Sequence, residues 1–233
     1  MFFKSLSLQS YFLNHRSLNF SNYTALVRSN WKEAWPDKRF RIQFIIASVY
    51  MVGVAIFYRW FFDFIEARNG KLLGDIILDF LPAHDVSWIV FFCLYSGMLI
   101  SMLYMVAHPR QLLLVFGTYC LVMTMRVFSI TLFPLNPPEG YIPLREPIAQ
   151  LFVDDGRIIS KDLFFSGHVS TIFSLFYPLK NKTLRRIVLF LSIMVGLLVL
   201  VQHVHYTIDV LMAPFATYVC YLLSKRITAK INQ

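Results

Sequence analysis

Charge is scarce in this chain. Asp, Glu, Lys and Arg make up 15% of its 233 residues and hydrophobic residues 57%, a balance that excludes an ordinary soluble domain and fits a chain dissolved mostly in lipid. Cysteine is scarce too. Cys93, Cys120 and Cys220 are the three present, and each falls inside an apolar run, where it suits a small buried hydrophobe rather than a disulfide partner or metal ligand. Also missing are an internal repeat, a low-complexity tract, a P-loop, a dinucleotide fingerprint and any cysteine-histidine spacing suited to zinc. Met1–Lys4 begins no tripartite secretory leader, so the first long apolar run is expected to act as the targeting signal.

What the chain has instead is hydrophobic length. Six mostly apolar windows stand out against the roughly 17 to 25 residues needed to cross the hydrocarbon core: residues 41–62, 87–107, 112–133, 163–179, 187–202 and 207–223. The fifth and sixth are short and nearly continuous. Backbone polar groups in lipid must be bonded internally, so the expected fold is all-α, an integral membrane bundle of six transmembrane helices. Residues 1–40 read as an interfacial amphipathic segment, 41–226 as the six-span domain, and 227–233 as a tail. In the first segment Leu26, Val27, Trp31 and Trp35 fit one helix face lying among headgroups, with basic side chains to meet anionic lipid.

The formal charge of +9 follows the membrane segments rather than a nucleic-acid patch, so no nucleic-acid partner is expected. Lys4, Arg16, Arg28, Lys32, Lys38, Arg39 and Arg41 precede or open the first window. Lys180, Lys182, Arg185 and Arg186 fill the turn between the fourth and fifth, and Lys225, Arg226 and Lys230 close the chain. The stretch 75–85 is acidic, and 139–162 holds Glu146, Asp154 and Asp155 against three basic residues. By the positive-inside rule both termini and the fourth-to-fifth turn are cytoplasmic and the acidic loops face outward. The glycosylation patterns at Asn22 and Asn181 then fall on the cytoplasmic side, away from the acceptor machinery.

That topology brings unusual residues to one side. The fourth span begins at the outer face with His168, in "SGHVSTIF", and the fifth runs outward to deliver His205, in "HVHYTIDV". Arg126, in the outward-running third span, lies in the same leaflet. His205 and Asp209 stand at i and i+4, so on a helix that has already begun they share a face. A carboxylate there fixes the ring tautomer, leaves the other nitrogen bare as a nucleophile and stabilises the charge that develops on attack. Phosphorus is the expected target, with His168 as the acid that protonates the leaving alkoxide. Gly167 lets the backbone approach a phosphate, Ser166 offers a hydroxyl at a helix start, and helix starts bind anions. Arg126 supplies a planar, permanently charged fork. Its insertion costs about 2.5 to 3.5 kcal/mol, so it needs a partner, either a bound phosphate or an internal carboxylate. Arg145, in the proline-rich loop "NPPEGYIPLREP", is a further candidate phosphate clamp. Asp162 orients the first motif or caps the fourth span, and His203 is expected to cap the fifth span or meet headgroups.

The stretches "DLFFSGH" (residues 162–168) and "HYTIDV" (residues 205–210) resemble the two catalytic motifs of the sphingomyelin synthases, a branch of the type 2 phosphatidic acid phosphatase superfamily. There the first motif reads Cys-Gly-Asp, three residues, Ser-Gly-His-Thr, and the second His-Tyr-Ser/Thr, one residue, Asp-Val. Asp162, Ser166, Gly167 and His168 match at the right spacing, as do His205, Tyr206, Thr207, Asp209 and Val210. The segments "LLGDIILDFLP" and "RVFSITLFPLNPP" are fainter echoes. Ser160 and Lys161 replace Cys-Gly, Val169 replaces Thr, and the basic signature of the soluble-type phosphatase branch is missing, which favours a diester headgroup.

The resemblance implies transfer of a phospho-headgroup from a phospholipid donor to a lipid alcohol through a phosphohistidine at His205. Asp209 orients that ring, His168 serves as acid and then base, and Asp162 and Tyr206 are orienting candidates. Ceramide, diacylglycerol or water is the acceptor. No metal or other cofactor is expected. Two readings stay open beside it, a lipid phosphatase or phospholipase C-type hydrolase with water as acceptor, and a lipid transporter or scramblase. Homo-oligomerisation stays open as well.

Overall fold

The computed structural model describes residues 20–145 and 158–230. The first half of the expected N-terminal segment, the end of the tail, and Glu146, Asp154 and Asp155 of the acidic loop lie outside the described residues. Within them the chain forms eight helices and no strand. These are α1 (Phe20–Ala34), α2 (Lys38–Glu66), α3 (Ile76–Phe80), α4 (Ser87–Val106), α5 (Pro109–Leu132), α6 (Gly167–Phe176), α7 (Lys182–Val201) and α8 (Thr207–Lys230). Five of them, α2, α4, α5, α7 and α8, are long and apolar enough to cross a membrane, as expected of an integral membrane protein.

Local chemistry sets the helix starts. Asp37 Oδ1 accepts the backbone N–H groups of Arg39 and Phe40 at 3.0 and 3.3 Å, and Asn181 Oδ1 that of Leu184 at 3.0 Å; both satisfy donors that a first turn leaves free. Proline stands in the first turn of α5, where its missing N–H removes no bond. At the other end of α4, helix α1 supplies the partners. Tyr23 Oη donates to Leu103 O at 2.6 Å, Trp31 Nε1 to Val106 O at 2.8 Å and Asn30 Nδ2 to Ala107 O at 2.6 Å. The Trp31 ring also meets Phe44 edge-on, with centroids 5.3 Å apart. Trp31 thus fastens α1 to the bundle.

Helix α6 sits in the middle, packed against α4, α5, α7 and α8. Close approach to α4 depends on Gly97, where an added Cβ would fall 2.7 Å from Ile172 Cδ1; small residues of this kind let membrane helices touch. Helix α2 is peripheral, packed on α5, with only 6% of its most apolar window buried. Its exposed Ile46, Val49, Val52 and Ile56 suit hydrocarbon.

The fourth expected span, 163–179, is not a full helix. Helix α6 has ten residues, about 15 Å at 1.5 Å per residue, half the hydrocarbon thickness. It starts late because Ser166 adopts a capping conformation and its side chain accepts the Val169 N–H. The residues before it, 162–165, turn onto α5 instead of extending the helix, and Pro178 follows its other end.

Candidate active site

The two motifs meet through their backbones. Ser166 N–H donates to Asp209 O at 3.1 Å, which fixes the start of α6 against the start of α8. His168 lies in the first turn of α6. His205 lies two residues before α8, in the turn that joins it to α7. The imidazole centroids are 6.0 Å apart and the rings tilted by 66°. Phe91 of α4 closes the other side of His168 at 6.1 Å.

Asp209 reaches His205 by a different route from the shared helix face expected. Its Oδ2 stands 3.4 Å from His205 Nδ1 and accepts the Tyr206 N–H at 3.1 Å. Tyr206 precedes the first helical residue and Asp209 is the third inside, so the carboxylate reaches back to the capping position as in one half of a capping box. One side chain therefore both closes the helix start and faces the imidazole. His205 is 1% and Asp209 0% exposed, which leaves Nε2 as the ring nitrogen turned away from the carboxylate.

Arg126 is buried on α5 and has an internal carboxylate for a partner. One terminal nitrogen donates to Asp162 Oδ1 at 2.7 Å, and Nε donates to Phe165 O at 2.9 Å. Ser129, one turn along the same face, donates to Phe164 O at 2.7 Å. These bonds hold the residues just ahead of "SGH", and the guanidinium lies flat against Gly167. A Cβ there would come within 2.6 to 2.9 Å of three guanidinium atoms, so glycine is needed for that approach. Asp162 is an ion-pair partner and not the cap of α6, which is Ser166.

Around this cluster the connecting segments are tied down by residues flanking His205. Gln202 is fully buried. Its Nε2 donates to Ser87 Oγ, Pro143 O and Ile142 O at 2.8, 3.2 and 3.3 Å, and its Oε1 accepts the Val86 N–H at 3.1 Å. His203 bridges Leu81 O and Glu139 O at 2.8 and 2.7 Å, so it fastens two loops instead of capping a helix. The Tyr206 hydroxyl donates to Asn136 O at 2.9 Å and accepts the Leu73 N–H at 3.2 Å, away from the imidazoles. Arg145 is exposed. Its N–H reaches Ser87 Oγ at 3.3 Å, and its charge adds to the Ser87 hydroxyl and N–H bonds that hold the Asp85 carboxyl below its ordinary value.

Asp75 ties the second motif to α3. Its carboxylate accepts Thr207 N–H at 2.6 Å and Thr207 Oγ1 at 2.9 Å, together with the Ile77 and Leu78 amides. Partial burial raises its pKa, but these bonds outweigh it and the net shift is downward. A depressed folded pKa gives stability that is present above the unfolded value and lost as pH falls through the folded one. Asp75→Ala is therefore expected to lower stability by about 1 to 2 kcal/mol at neutral pH. In melting curves of the detergent-solubilised chain, the difference from the parent should shrink as pH drops below the ordinary aspartate range. A gap that is the same at pH 7 and pH 3 would rule this account out.

Gln202 escaped sequence reading as a site-supporting residue. Asp75 entered it only as one of the acidic loop residues and within the echo "LLGDIILDFLP", and Ser129 only within "RVFSITLFPLNPP", where its i+3 spacing from Arg126 was the signal. Among the described residues no three His, Cys, Asp or Glu side chains gather in a group that could hold a metal ion.

No curated protein matches the chain. Residues 161–226, which hold both motifs, helices α6 and α7 and most of α8, match the family model described as PAP2 superfamily C-terminal. That part of the chain is similar to the PAP2 superfamily.

Proposed function

We propose that the chain is a lipid phosphotransferase that moves a phospho-headgroup from a phospholipid to a lipid alcohol through a phosphohistidine. The observation that carries this is the pair of imidazoles 6.0 Å apart, with Asp209 Oδ2 3.4 Å from Nδ1 of one of them. In the first step His205 Nε2 attacks phosphorus, the P–O bond to the diacylglycerol oxygen breaks, and His168 gives that oxygen a proton. In the second the acceptor hydroxyl gives its proton to His168 and attacks the phosphohistidine, the P–N bond breaks, and both rings return to their starting state. Asp209 holds the His205 ring and offsets the positive charge of the phosphorylated imidazole. Arg126 and Asp162 hold the "SGH" turn; the Ser166 hydroxyl and the Gly167 and His168 amides in the first turn of α6 serve as donors to the phosphate. Arg145, whose backbone N–H is held by Ser87 Oγ, is a further clamp for the phosphate in this reading.

The site is assigned to the non-cytoplasmic leaflet, with six crossings and both termini cytoplasmic. Support comes from the opposite end of the bundle. The starts of α2 and α7 and the end of α8 carry Lys38, Arg39, Lys182, Arg185, Lys225 and Arg226, the basic excess of a cytoplasmic face. α6 and its extended flanks form the fourth crossing.

The test uses purified protein in vesicles holding a headgroup-labelled phospholipid, with and without ceramide or a diacylglycerol whose acyl chains differ from the donor's. Transfer predicts faster loss of donor with the alcohol present and label recovered on the alcohol. Label released as a soluble phospho-headgroup at a rate the alcohol does not change would replace transferase with hydrolase.

A further inference from the structure

The end of α2 makes contacts that none of the chemistry above uses. Glu66, its last residue, turns its carboxylate onto the two residues before Asp162. Oε1 accepts the N–H groups of Ser160 and Lys161 at 2.6 and 2.7 Å, and Oε2 accepts the Ser160 hydroxyl at 2.9 Å. Two successive amides converging on one oxygen form an anion-holding turn. Lys161 answers from the other side. Its Nζ donates to Glu66 O at 2.9 Å and to Arg68 O, carbonyls that the helix end leaves free.

Arg68, two residues on, reaches the other wall of the site. Its terminal nitrogens donate to Thr131 O and Ile130 O at 3.2 and 3.0 Å, and its guanidinium lies 5.0 Å from the centre of the Phe64 ring. Ile130 and Thr131 lie just over one turn beyond Arg126 on α5. The end of one lipid-facing helix therefore grips both segments that supply the Arg126–Asp162 pair, each close to the paired residue. That pair in turn fixes Phe165 O and lies against Gly167, next to His168.

We propose that Glu66 and Arg68 are positioning residues, a two-armed brace that sets the distance between Arg126 and Asp162 and so the place of the His168 ring. The assignment rests on the reading of His168 as the general acid. It also gives a role to the two residues that depart from the resembled motif, since Ser160 and Lys161 stand where that motif has Cys-Gly and are the ones Glu66 holds.

The experiment compares Glu66→Ala and Glu66→Gln in the full chain, reconstituted in nanodiscs with 15N-labelled histidine. Ring signals are assigned through His168→Asn and His205→Asn. Glu66→Ala is expected to move the His168 ring signals and leave those of His108, at the far end of α4, in place. Misplacement of about 1 Å costs on the order of 100-fold, so kcat should fall between about 10- and 100-fold with KM little changed. Glu66→Gln keeps an oxygen for the two amides and presents an NH2 to the Ser160 hydroxyl, so it should restore both kcat and the His168 signals. Unmoved His168 signals in Glu66→Ala, or Glu66→Gln as damaging as Ala, would overturn the brace. Should Glu66→Ala fail to fold, Lys161→Met, which removes the Nζ contacts alone, decides by the same signals, an unmoved His168 again counting against it. The ring signals need no substrate, so failure of the brace is distinguishable from failure of the enzymatic reading, which would appear as an inactive parent chain.

Discussion

His205→Asn is expected to leave a folded chain that turns over no lipid. The imidazole is buried against Asp209, and Asn keeps a polar side chain facing the carboxylate, so the α8 start retains its Tyr206 and Ser166 bonds. Asn has no ring nitrogen to form a P–N bond. With the covalent step gone, the rate should fall by about 10⁴-fold or more, and acid-labile label on the protein should vanish in rapid-quench samples. His168 gives the matching test, because a general acid matters only where the leaving group needs its proton. His168→Asn should lose about 10² to 10⁴ on a diacylglycerol-leaving donor. On a p-nitrophenyl phosphodiester, whose leaving group departs unaided, the first-step burst of p-nitrophenolate should lose far less and His205 should still be labelled, while the second step still lacks its base. Equal first-step losses on both donors would remove His168 from the acid role, and labelled protein from the His205 variant would remove His205 from the nucleophile role.

The all-helical membrane character was legible because it is written in composition and in long apolar runs, signals that need no tertiary information. The two motifs were legible for a related reason. Each is a short local pattern, and counting spans brought both to one end of the bundle. What spacing does not carry is the conformation at an element's boundary. His205 and Asp209 at i and i+4 suggested a helix face, yet the imidazole precedes the helix and the carboxylate reaches back to it as a cap. The fourth span looked long enough at 163–179, but residues 162–165 follow the pull of Arg126 and Ser129 on the Phe165 and Phe164 carbonyls, and the helix begins only after Ser166.

Long-range polar pairs were the least legible. Glu66 meets Ser160 across 94 positions and Gln202 meets Val86 across 116, and no periodicity or local motif marks such partners. His203 shows the same limit. Its neighbours in sequence suggested a cap, whereas its partners, Leu81 and Glu139, come from two other loops. Arg126 is the intermediate case. Its cost in a membrane span announced a partner without naming it, and both candidate classes, phosphate and carboxylate, were chemically sound. Asp162 fills the second class in the folded chain.

That pairing predicts a specific pattern of coupling. Arg126→Met leaves Asp162 without its cation and Phe165 O without a donor, in a place where the Arg126 side chain is 3% and the Asp162 side chain 21% exposed. Breaking a buried pair from one side costs about 3 to 5 kcal/mol, and the partial exposure of Asp162 sets the expectation at the lower end. Asp162→Asn keeps an acceptor for the guanidinium but leaves the arginine charge unbalanced, so it should cost about 1.5 to 3 kcal/mol. In the double variant neither charge is left alone, and SDS-induced unfolding in mixed micelles should give a total below the sum of the singles by more than about 1 kcal/mol. Simple additivity would mean that the two side chains do not support one another. Turnover should follow a different rule. The double variant recovers stability yet still lacks the fork that holds Phe165 O and covers Gly167, so its kcat should stay as low as that of Arg126→Met. Arg126→Lys separates support from substrate binding. A lysine keeps the charge but cannot serve Asp162 and Phe165 O at once, so a positioning role lowers kcat, whereas a direct contact with the substrate phosphate raises KM instead.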